Sequence, residues 1–364
     1  MHVVLAAGGT AGHIYPAINT AIAIQEINPE VKITILGTRR GLDRDLVPPT
    51  GFDLKLVDSA PFPRKINGQA IRFPFQLLGA VKETKEFFRR EKVTCVVGFG
   101  GYASAPAYLA ARSLGICMIV HEANSSPGMA NRLGAKLTKN IALNHKEVLP
   151  NGRLIGMPIS REIRQMSRQA LRESAREYFG LPAQGPVLLV FGGSQGAVSL
   201  NQAVVDAVPQ LLAQGINVLH AVGPYNLIDQ KLENTNIDDP SLGVYRPITF
   251  IDRMDLAYAA ADLNISRAGA MTVAEVAAVK IPSIFVPLPV GNGEQERNAK
   301  QLVAAGAALM CPPHLFTHEW IDTHVSPLIT DPETLKSMSE RSLHAGISDA
   351  ARDLAQWALA CDSG

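Results

Sequence analysis

Short apolar runs alternate with longer amphipathic segments along nearly the whole 364-residue chain, and this alternation limits the fold more than any other feature. Strands separated by helical stretches are typical of βαβ units, which form parallel sheets covered by helices on both faces. We therefore predict an α/β protein with strands at the apolar runs. These are residues 3–7, 32–36, 94–97, 117–121 and 140–143 in the first half, and 187–191, 217–222, 244–250, 263–266, 283–286 and 308–311 in the second.

A weak internal repeat indicates two domains. The run 3–7 leads into the sequence GGTAG, and the run 187–191 leads into the similar sequence GGSQG. Each resembles the first strand and glycine turn of a Rossmann-like, doubly wound parallel-sheet domain, in which ligands bind at the carboxyl ends of the strands. We predict two such domains facing each other across a cleft. The predicted boundaries are 1–158 for the first domain, 159–342 for the second, and 343–364 for a C-terminal helix that packs back onto the first.

Composition and charge exclude several classes of function. A net charge of +1 gives no general attraction for nucleic acid, so no nucleic-acid partner is expected. No apolar run reaches the roughly 18–20 residues that span a bilayer, and no secretory signal pattern is seen, so we expect a cytosolic protein. The four cysteines match no metal-ligand spacing, and Cys95 and Cys117 are interpreted as small buried hydrophobic residues.

The glycine loops indicate phosphate binding without a dinucleotide. Both loops have the spacing G-G-x-x-G, which differs from the G-x-G-x-x-G of dinucleotide sites. Exposed N–H groups at a helix start bind anions whatever the spacing of the glycines. A third glycine-rich loop at residues 98–104 follows the strand 94–97. Three loops exceed the needs of one diphosphate, so we predict two phosphorylated ligands, one in each domain.

Two single polar residues and one pair of acids are candidates for chemistry. His13 lies at the predicted start of a helix beside the first loop, where an imidazole can act as a general base; the alternative is a structural cap. Glu275 lies near the start of a later helix, where a carboxylate can accept both ribose hydroxyls; the alternative is a solvated glutamate. Asp43 and Asp45 form a D-x-D pattern, which we interpret as two solvated acids on a helix rather than a metal site.

Several motifs in fixed order resemble the MurG family of N-acetylglucosaminyltransferases. The family's pattern is found along essentially the whole chain. The matching stretches are GGTAGHIYP at 8–16, GFGGYASAP at 98–106, HEAN at 121–124, GGSQGA at 192–197, FID at 250–252, SRAGAMTVAE at 266–275 and PLPVGNGEQERNA at 287–299.

The resemblance implies an inverting, metal-independent glycosyltransferase of the GT-B type in peptidoglycan synthesis. Its donor would be UDP-N-acetylglucosamine, and its acceptor undecaprenyl-pyrophosphoryl-N-acetylmuramyl-pentapeptide. No cofactor and no metal ion is implied. The enzyme would act as a peripheral protein on the cytoplasmic face of the cell membrane, with proteins of the division machinery as further partners.

The resemblance also assigns site residues, with His13 as the catalytic base. It implies that donor contacts come from Thr10, Ala11, Gly12, Asn124, Arg161, Ser194, Ile251, Ala270, Met271, Thr272, Val273, Ala274, Glu275 and Gln295. It implies that acceptor contacts come from Gly100, Gly101, Tyr102 and Ser104. Two motifs depart from the family pattern. In the first, Met157 replaces an asparagine and the arginine at 161 comes one residue late; in the second, a glutamate at 294 replaces the first of two glutamines.

The stretch 59–82 is a candidate membrane surface. It interleaves apolar and basic side chains and contains no acidic residue. Such a mixture suits an interface of acyl chains and anionic headgroups, whereas packing into the domain core is the alternative. Core packing is the preferred interpretation for Leu77 and Leu78, because a stripe at Leu77, Val81, Thr84 and Phe88 predicts a core-facing helix. For Phe62, Ile71, Phe73 and Phe75, which we place in a proline-interrupted loop, the two interpretations are balanced. The apolar members are Phe62, Ile66, Ile71, Phe73, Phe75, Leu77 and Leu78, and the basic members considered with them are Arg64, Lys65 and Arg72.

Three other functions stay open at this point. One is a GT-B transferase with a different lipid or small acceptor, against which only the loop 98–106 argues. Another is a UDP-N-acetylglucosamine epimerase, which needs acid and base groups on the sugar that the sequence does not display. The third is a nucleotide-sugar-binding subunit without chemistry, which His13 and the acceptor loop disfavour.

Overall fold

The computed structural model describes residues 1–58, 68–224, 241–289, 293–342 and 349–361, with the backbone alone described for residues 68–72. The chain forms two compact units. The first contains residues up to Ser160 and the C-terminal helix, and the second begins at Arg161.

The first unit is built on a parallel sheet, which in the described part of the chain has seven strands in the order β3-β2-β1-β4-β5-β6-β7. The strands are β1 (His2–Ala6), β2 (Lys32–Thr38), β3 (Asp53–Val57), β4 (Cys95–Gly98), β5 (Cys117–Glu122), β6 (Ile141–Leu143) and β7 (Arg153–Leu154). Neighbouring strands are parallel throughout. The prediction of a doubly wound parallel sheet is confirmed, with β3 and β7 as additions.

Helices cover both faces of this sheet. They are α1 (Ala11–Ile27), α2 (Asp43–Leu46), α3 (Gly68–Arg90), α4 (Ser104–Leu114), α5 (Met129–Gly134) and, returning from the chain's end, α14 (Ala350–Ala360). α14 packs against α1 and adds its apolar side chains to the core on one face. α3 and α4 pack together over the core on the other face.

The second unit repeats the plan. Its sheet has six described strands, all parallel, in the order β10-β9-β8-β11-β12-β13. The strands are β8 (Val187–Phe191), β9 (Asn217–Ala221), β10 (Tyr245–Ile248), β11 (Leu263–Ser266), β12 (Ser283–Phe285) and β13 (Ala308–Met310). The helices are α6 (Arg161–Gln165), α7 (Arg168–Tyr178), α8 (Val198–Ala213), α9 (Met254–Ala260), α10 (Ala270–Val279), α11 (Glu294–Ala304), α12 (His318–Ile329) and α13 (Pro332–Arg341).

The cysteines of the first unit lie closer together than their spacing in the sequence suggests. Cys95 is buried and free, as predicted, but Cys117 is joined to Cys361 by a disulfide across 244 residues. The interpretation of Cys117 as a simple hydrophobic residue was therefore wrong. Its partner follows α14, and only the return of that helix to the first unit brings the two sulfurs together.

Helix α3 differs from what the sequence predicts for part of the stretch 59–82. We expected a loop around Phe75, but the backbone is helical through Pro74. The inward row of this helix includes the buried Thr84 and Phe88, as its spacing predicted. Leu78, assigned to the core, is instead 65% exposed, and Phe75 is 74% exposed. Residues 59–67 lie outside the described part. No helix among the described residues is long and apolar enough to span a membrane.

Candidate active site

The first and third glycine loops meet at one place in the first unit. The strand order reverses between the adjacent strands β1 and β4. The chain leaves β1 through residues 7–10 into α1, and it leaves β4 through residues 99–103 into α4. Parallel α/β sheets bind ligands at such a reversal, beyond the carboxyl ends of the strands. The two loops predicted separately from sequence therefore line a single site.

His13 lies in the first turn of α1 at this site. Its Nδ1 is 3.0 Å from Oγ1 of Thr10, the residue at which the helix begins. On its other side the imidazole faces Gly100, where an added Cβ would lie 3.2 Å from Nε2. Burial of the ring lowers the pKa of His13 to about 4. The imidazole is therefore neutral at physiological pH, which is the state a general base requires.

The third loop packs directly against the first. Gly101 has a φ of +75°, and a side chain there would collide with the carbonyl oxygen of Gly8. Ser104 is fully buried, and its hydroxyl lies 2.9 Å from the Ala6 carbonyl oxygen and 2.6 Å from that of Gly100. Its side chain thus supports the loop from inside. Tyr102, by contrast, is 41% exposed.

A buried carboxylate that the sequence analysis did not single out organises the loop after β5. Glu122 accepts hydrogen bonds from the backbone N–H of Asn124 at 2.9 Å, from that of Gly128 at 3.0 Å, and from the amide of Asn131 at 2.9 Å. Asn131 in turn accepts from the hydroxyl of the buried Tyr108. The predicted donor residue Asn124 is therefore held in place by its neighbour in the HEAN motif.

The second unit has an equivalent site where its own strand order reverses, between β8 and β11. The loop 192–196 containing Ser194 leads from β8 towards α8, and residues 267–269 lead from β11 into α10. Gly269 stands at the N-cap of α10 and has no side chain that could cap the first N–H groups of this helix. Uncapped N–H groups at a helix start, together with the helix dipole, bind phosphate. The predicted donor residues 270–275 form the first part of this helix.

Glu275 is held by a tyrosine that the sequence analysis did not single out. The hydroxyl of the fully buried Tyr258 donates a 3.0 Å hydrogen bond to Oε2 of Glu275, which leaves Oε1 for a second partner. Burial raises the pKa of Glu275 to about 7, and the hydrogen bond from Tyr258 opposes this rise. A carboxyl group whose pKa is strongly raised by burial is a candidate functional residue.

The remaining predicted donor residues of the second unit occupy different surroundings. Gln295 accepts backbone hydrogen bonds through Oε1 from Ala268 at 3.2 Å and Leu288 at 2.9 Å. It therefore ties the β11–α10 turn to the segment after β12. Ile251 is buried between β10 and α9. Arg161 is exposed at the first position of α6 and donates through Nε to Gln165.

The D-x-D pattern is not the surface feature that the sequence analysis proposed. Asp45 is exposed, but Asp43 is completely buried, and its Oδ2 accepts a 3.0 Å hydrogen bond from the backbone N–H of Gly9. Among the described residues, the one group of three or more potential metal ligands that lie close together is formed by the cysteines at 95, 117 and 361, and the disulfide between the last two removes them as thiolate ligands. Two of these begin strands β4 and β5, at the opposite end of the sheet from the glycine loops.

Comparison with known proteins identifies the class to which this fold and site belong. Residues 3–143 match the glycosyltransferase family 28 N-terminal domain, and residues 187–354 match the family 28 C-terminal domain. The crystal structure of Acinetobacter baumannii MurG is similar to this chain, with a TM-score of 0.77 and 28% sequence identity. The match covers 99% of this chain and 99% of the MurG chain. The protein is a two-domain glycosyltransferase of the GT-B architecture.

Curated relatives narrow this class. A Streptomyces coelicolor protein is 47% identical over 96% of this chain and 95% of its own length. A Mycolicibacterium paratuberculosis protein is 47% identical over 98% of this chain and 88% of its own length. Both are named UDP-N-acetylglucosamine--N-acetylmuramyl-(pentapeptide) pyrophosphoryl-undecaprenol N-acetylglucosamine transferase. This chain belongs to the MurG family.

Proposed function

We propose that the protein transfers N-acetylglucosamine from UDP-N-acetylglucosamine to the 4-hydroxyl of undecaprenyl-pyrophosphoryl-N-acetylmuramyl-pentapeptide. This reaction converts lipid I to lipid II in peptidoglycan synthesis. The observation that carries the proposal is the near full-length similarity to relatives that bear this name. The two loop-lined sites, one with a neutral histidine and one with an open helix start, support it chemically.

Donor recognition would use the second unit. The first N–H groups of α10 and the loop containing Ser194 would bind the diphosphate, because both present backbone donors at the end of the sheet. Glu275 would accept the ribose hydroxyls through the carboxylate that Tyr258 orients. The backbone at Ile251 would contact the uracil edge, and the amide nitrogen of Gln295 would donate to the sugar while its oxygen stays on the backbone.

Catalysis would use His13 as the general base. The acceptor hydroxyl attacks the anomeric carbon, the bond from that carbon to the diphosphate oxygen breaks, and UDP leaves with the electron pair. Nε2 of His13 takes the hydroxyl proton directly or through a water molecule. This requires the tautomer in which Nδ1–H donates to Oγ1 of Thr10, so Thr10 would fix both the tautomer and the ring orientation. Developing charge on UDP would be stabilised by the backbone donors of the Ser194 loop.

Transferase activity should persist in excess EDTA. Asp43, one of the two acids a metal would need in the D-x-D pattern, is buried and bonded to the Gly9 backbone. The uncapped start of α10 offers N–H donors in place of a cation for the diphosphate. The measurement is product formation with and without chelator, after the protein has been dialysed against EDTA. Loss of activity that magnesium or manganese restores would contradict a metal-independent mechanism.

We also propose that α3 contributes to peripheral docking on the cytoplasmic membrane face, where the polyprenyl tail of the acceptor is held. Phe75 and Leu78 are largely exposed, and they share a helical row with the exposed Lys82 and Arg89. Apolar side chains beside cations suit an anionic membrane surface, where each cation adds about 1 kcal/mol. The family resemblance adds division-machinery proteins as proposed partners.

Replacing Phe75 and Leu78 together by glutamate should weaken co-sedimentation with vesicles that contain anionic phospholipid. The matched control is Leu315→Glu, which changes a 50% exposed leucine in the second unit and should bind like the unchanged protein. A second variant replaces Arg64, Lys65 and Arg72 by glutamate; these side chains lie outside the described part of the structure. Equal vesicle binding by all variants, with the fold intact, would remove α3 and this basic group from the docking surface.

One donor tested under three conditions separates the proposed reaction from its alternatives. Labelled UDP-N-acetylglucosamine is incubated with a short-chain lipid-linked muramyl-pentapeptide, with a different lipid acceptor, and with no acceptor. We expect labelled disaccharide in the first condition alone. Product on the other lipid would indicate a different transferase, an altered nucleotide sugar without acceptor would indicate an epimerase, and tight binding without conversion would indicate a binding subunit.

A further inference from the structure

Asp43 is an unusual acid because it is completely buried at the start of the four-residue helix α2. Charged carboxylates are rarely buried unless they are paired or accept several hydrogen bonds. No salt bridge involves Asp43 in the described part of the structure. Burial of such a carboxylate lowers the free energy of unfolding, so the contacts of Asp43 should indicate the role for which it is kept.

The segment containing Asp43 binds both backbone polar groups of a single residue, Gly9. Oδ2 of Asp43 accepts from the Gly9 N–H at 3.0 Å, and the Gly9 carbonyl oxygen accepts from the N–H of Leu42 at 3.4 Å. The hydroxyl of Thr38, which donates to the carbonyl oxygen of Arg40, also lies 3.3 Å from Oδ2. The peptide groups on both sides of Gly9 are therefore fixed by residues 42–43.

The space around the carboxylate is filled by neighbouring backbone. An added side chain at Gly37 would collide with Oδ1 of Asp43, and a Cβ at Gly8 would lie 3.4 Å from the same atom. Oδ1 is buried and has no hydrogen-bond partner among the described residues. One carboxylate oxygen is thus used on the Gly9 loop, while the other is packed without a polar contact. The close packing around the carboxylate restricts the movement of the side chain.

Gly9 connects Asp43 directly to the proposed base. The next residue, Thr10, begins α1, and its carbonyl oxygen accepts from the backbone N–H of His13 at 3.1 Å. Its hydroxyl lies 3.0 Å from Nδ1 of His13. A rotation of the Gly9–Thr10 peptide would therefore move the hydroxyl that fixes the His13 tautomer.

We propose that Asp43 is a positioning residue for the transfer reaction, which holds Gly9 so that Thr10 and His13 keep their reactive orientation. The proposal rests on the function proposed above, because it assigns Asp43 a role in that reaction. Asp43 acts only through Gly9 and does not contact either substrate. A charge-assisted hydrogen bond to a backbone N–H is stronger than one between neutral groups, which accounts for an acid at this buried position.

The first test is kinetic and uses three single variants. Asp43→Ala should lower kcat by about 10²-fold, because a displacement of about 1 Å in a catalytic group can cost that much. Asp43→Asn keeps the volume and a neutral acceptor, so it should keep most of the activity that Asp43→Ala loses. Its kcat should lie within about tenfold of that of the unchanged protein. KM for UDP-N-acetylglucosamine should change much less than kcat in both, because the contacts proposed for the nucleotide lie in the second unit. Asp45→Ala is the matched control, and kcat should not change, because Asp45 is exposed on the same helix.

The second test measures the contact between Asp43 and Gly9 directly and does not depend on catalytic activity. In protein labelled with ¹⁵N at glycine and histidine, the Gly9 amide should be protected from exchange and shifted downfield by the carboxylate. Asp43→Ala should abolish this protection and change the ring ¹⁵N shifts of His13, which report its tautomer. The Asp45→Ala spectrum should match that of the unchanged protein. A role limited to overall stability would leave the His13 ring shifts in place.

These two tests separate the failure of this inference from the failure of the proposed function. If the unchanged protein forms no disaccharide, the proposed function fails, while the Gly9 and His13 spectra still decide whether Asp43 supports the loop. If the unchanged protein is active and Asp43→Ala turns over at the same rate, the positioning role is overturned. If Asp43→Ala does not fold, Asp43→Ser and Asp43→Leu, which also remove the carboxylate acceptor, decide: unchanged kcat together with unchanged Gly9 and His13 signals in a folded variant would overturn the proposal.

Discussion

His13→Ala should lower kcat by roughly 10²- to 10⁴-fold, the range that general acid–base catalysis usually contributes. UDP should bind the variant as tightly as the unchanged protein, because its proposed contacts lie in the second unit. The measurements are steady-state kinetics for turnover and calorimetry for UDP binding. An unchanged kcat would remove His13 from the mechanism, and a defect in donor binding alone would make it a structural residue.

The control for His13 is His2, another histidine of the same sheet. His2 lies at the amino end of β1, away from the glycine loops, and its Nε2 is 2.9 Å from Oγ1 of Thr34. Burial lowers the pKa of His2 as well. His2→Gln should therefore reduce the stability of the fold and leave kcat close to that of the unchanged protein.

The pH dependence of kcat/KM provides a second test of His13. Burial lowers the pKa of this imidazole, so the neutral, proton-accepting form persists as the pH falls towards about 4. The acid limb of kcat/KM attributable to His13 should therefore have its midpoint near pH 4 rather than at the usual value for histidine. The profile is measured in Glu275→Gln, which removes the contribution of Glu275 to donor binding in the range near pH 7. A midpoint near the usual value for histidine in this variant would mean that the reacting imidazole is solvated, or that another group is the base.

Glu275→Ala should weaken UDP binding by roughly 10- to 150-fold, since hydrogen bonds to a charged group contribute about 1.5–3 kcal/mol. Donor affinity should fall by the same factor, because the proposed partner is the ribose rather than the transferred sugar. Calorimetry with UDP alone measures the effect. Glu333→Gln, an exposed glutamate of the same unit, is the control. Unaltered UDP affinity in Glu275→Ala would refute the ribose contact.

The hydrogen bond from Tyr258 to Glu275 leads to a further prediction, which concerns the pH dependence of UDP binding. Its hydroxyl opposes the rise in the pKa of Glu275, so Tyr258→Phe should raise that pKa further above about 7. The protonated carboxyl is the weaker acceptor for ribose hydroxyls, and UDP binding should therefore weaken as the pH falls through this range. In Tyr258→Phe the weakening should begin at higher pH, and in Glu275→Gln this contribution should be absent. Identical pH profiles in all three proteins would contradict the arrangement.

The architecture was predictable because it depends on local pattern. Buried strands of parallel sheets are nearly continuous apolar runs, and β8 and β11 were predicted with the bounds they have. β3 was missed because it is a partly exposed edge strand in which charged residues alternate with apolar ones. β7 has two exposed residues and no apolar pattern at all. The strands that could be predicted are those whose burial on both faces requires a nearly continuous run of apolar residues.

The glycine loops of the site were also predictable from local sequence pattern, but the residues that hold the site in place were not. Glycine turns after strands are local signals, whereas Asp43 contacts Gly9 across 34 positions and Tyr258 contacts Glu275 from a different helix. The adjacent Arg44 and Asp45 made Asp43 resemble a surface residue. Glu122 was within a recognised motif, yet its role depends on a turn that brings Asn131 back to β5. Tertiary contacts of this kind leave no periodic trace in a sequence.

The central claim is that the chain joins N-acetylglucosamine to lipid-linked muramyl-pentapeptide with inversion and with His13 as base. The most direct measurement isolates the product formed from labelled UDP-N-acetylglucosamine and a short-chain acceptor, and determines its anomeric configuration by nuclear magnetic resonance. Because the donor sugar is α-linked to UDP, attack in line predicts a β-linked disaccharide, formed at least about 10²-fold more slowly by His13→Ala. An α-linked product, or β-linked product formed equally fast without His13, would contradict the account.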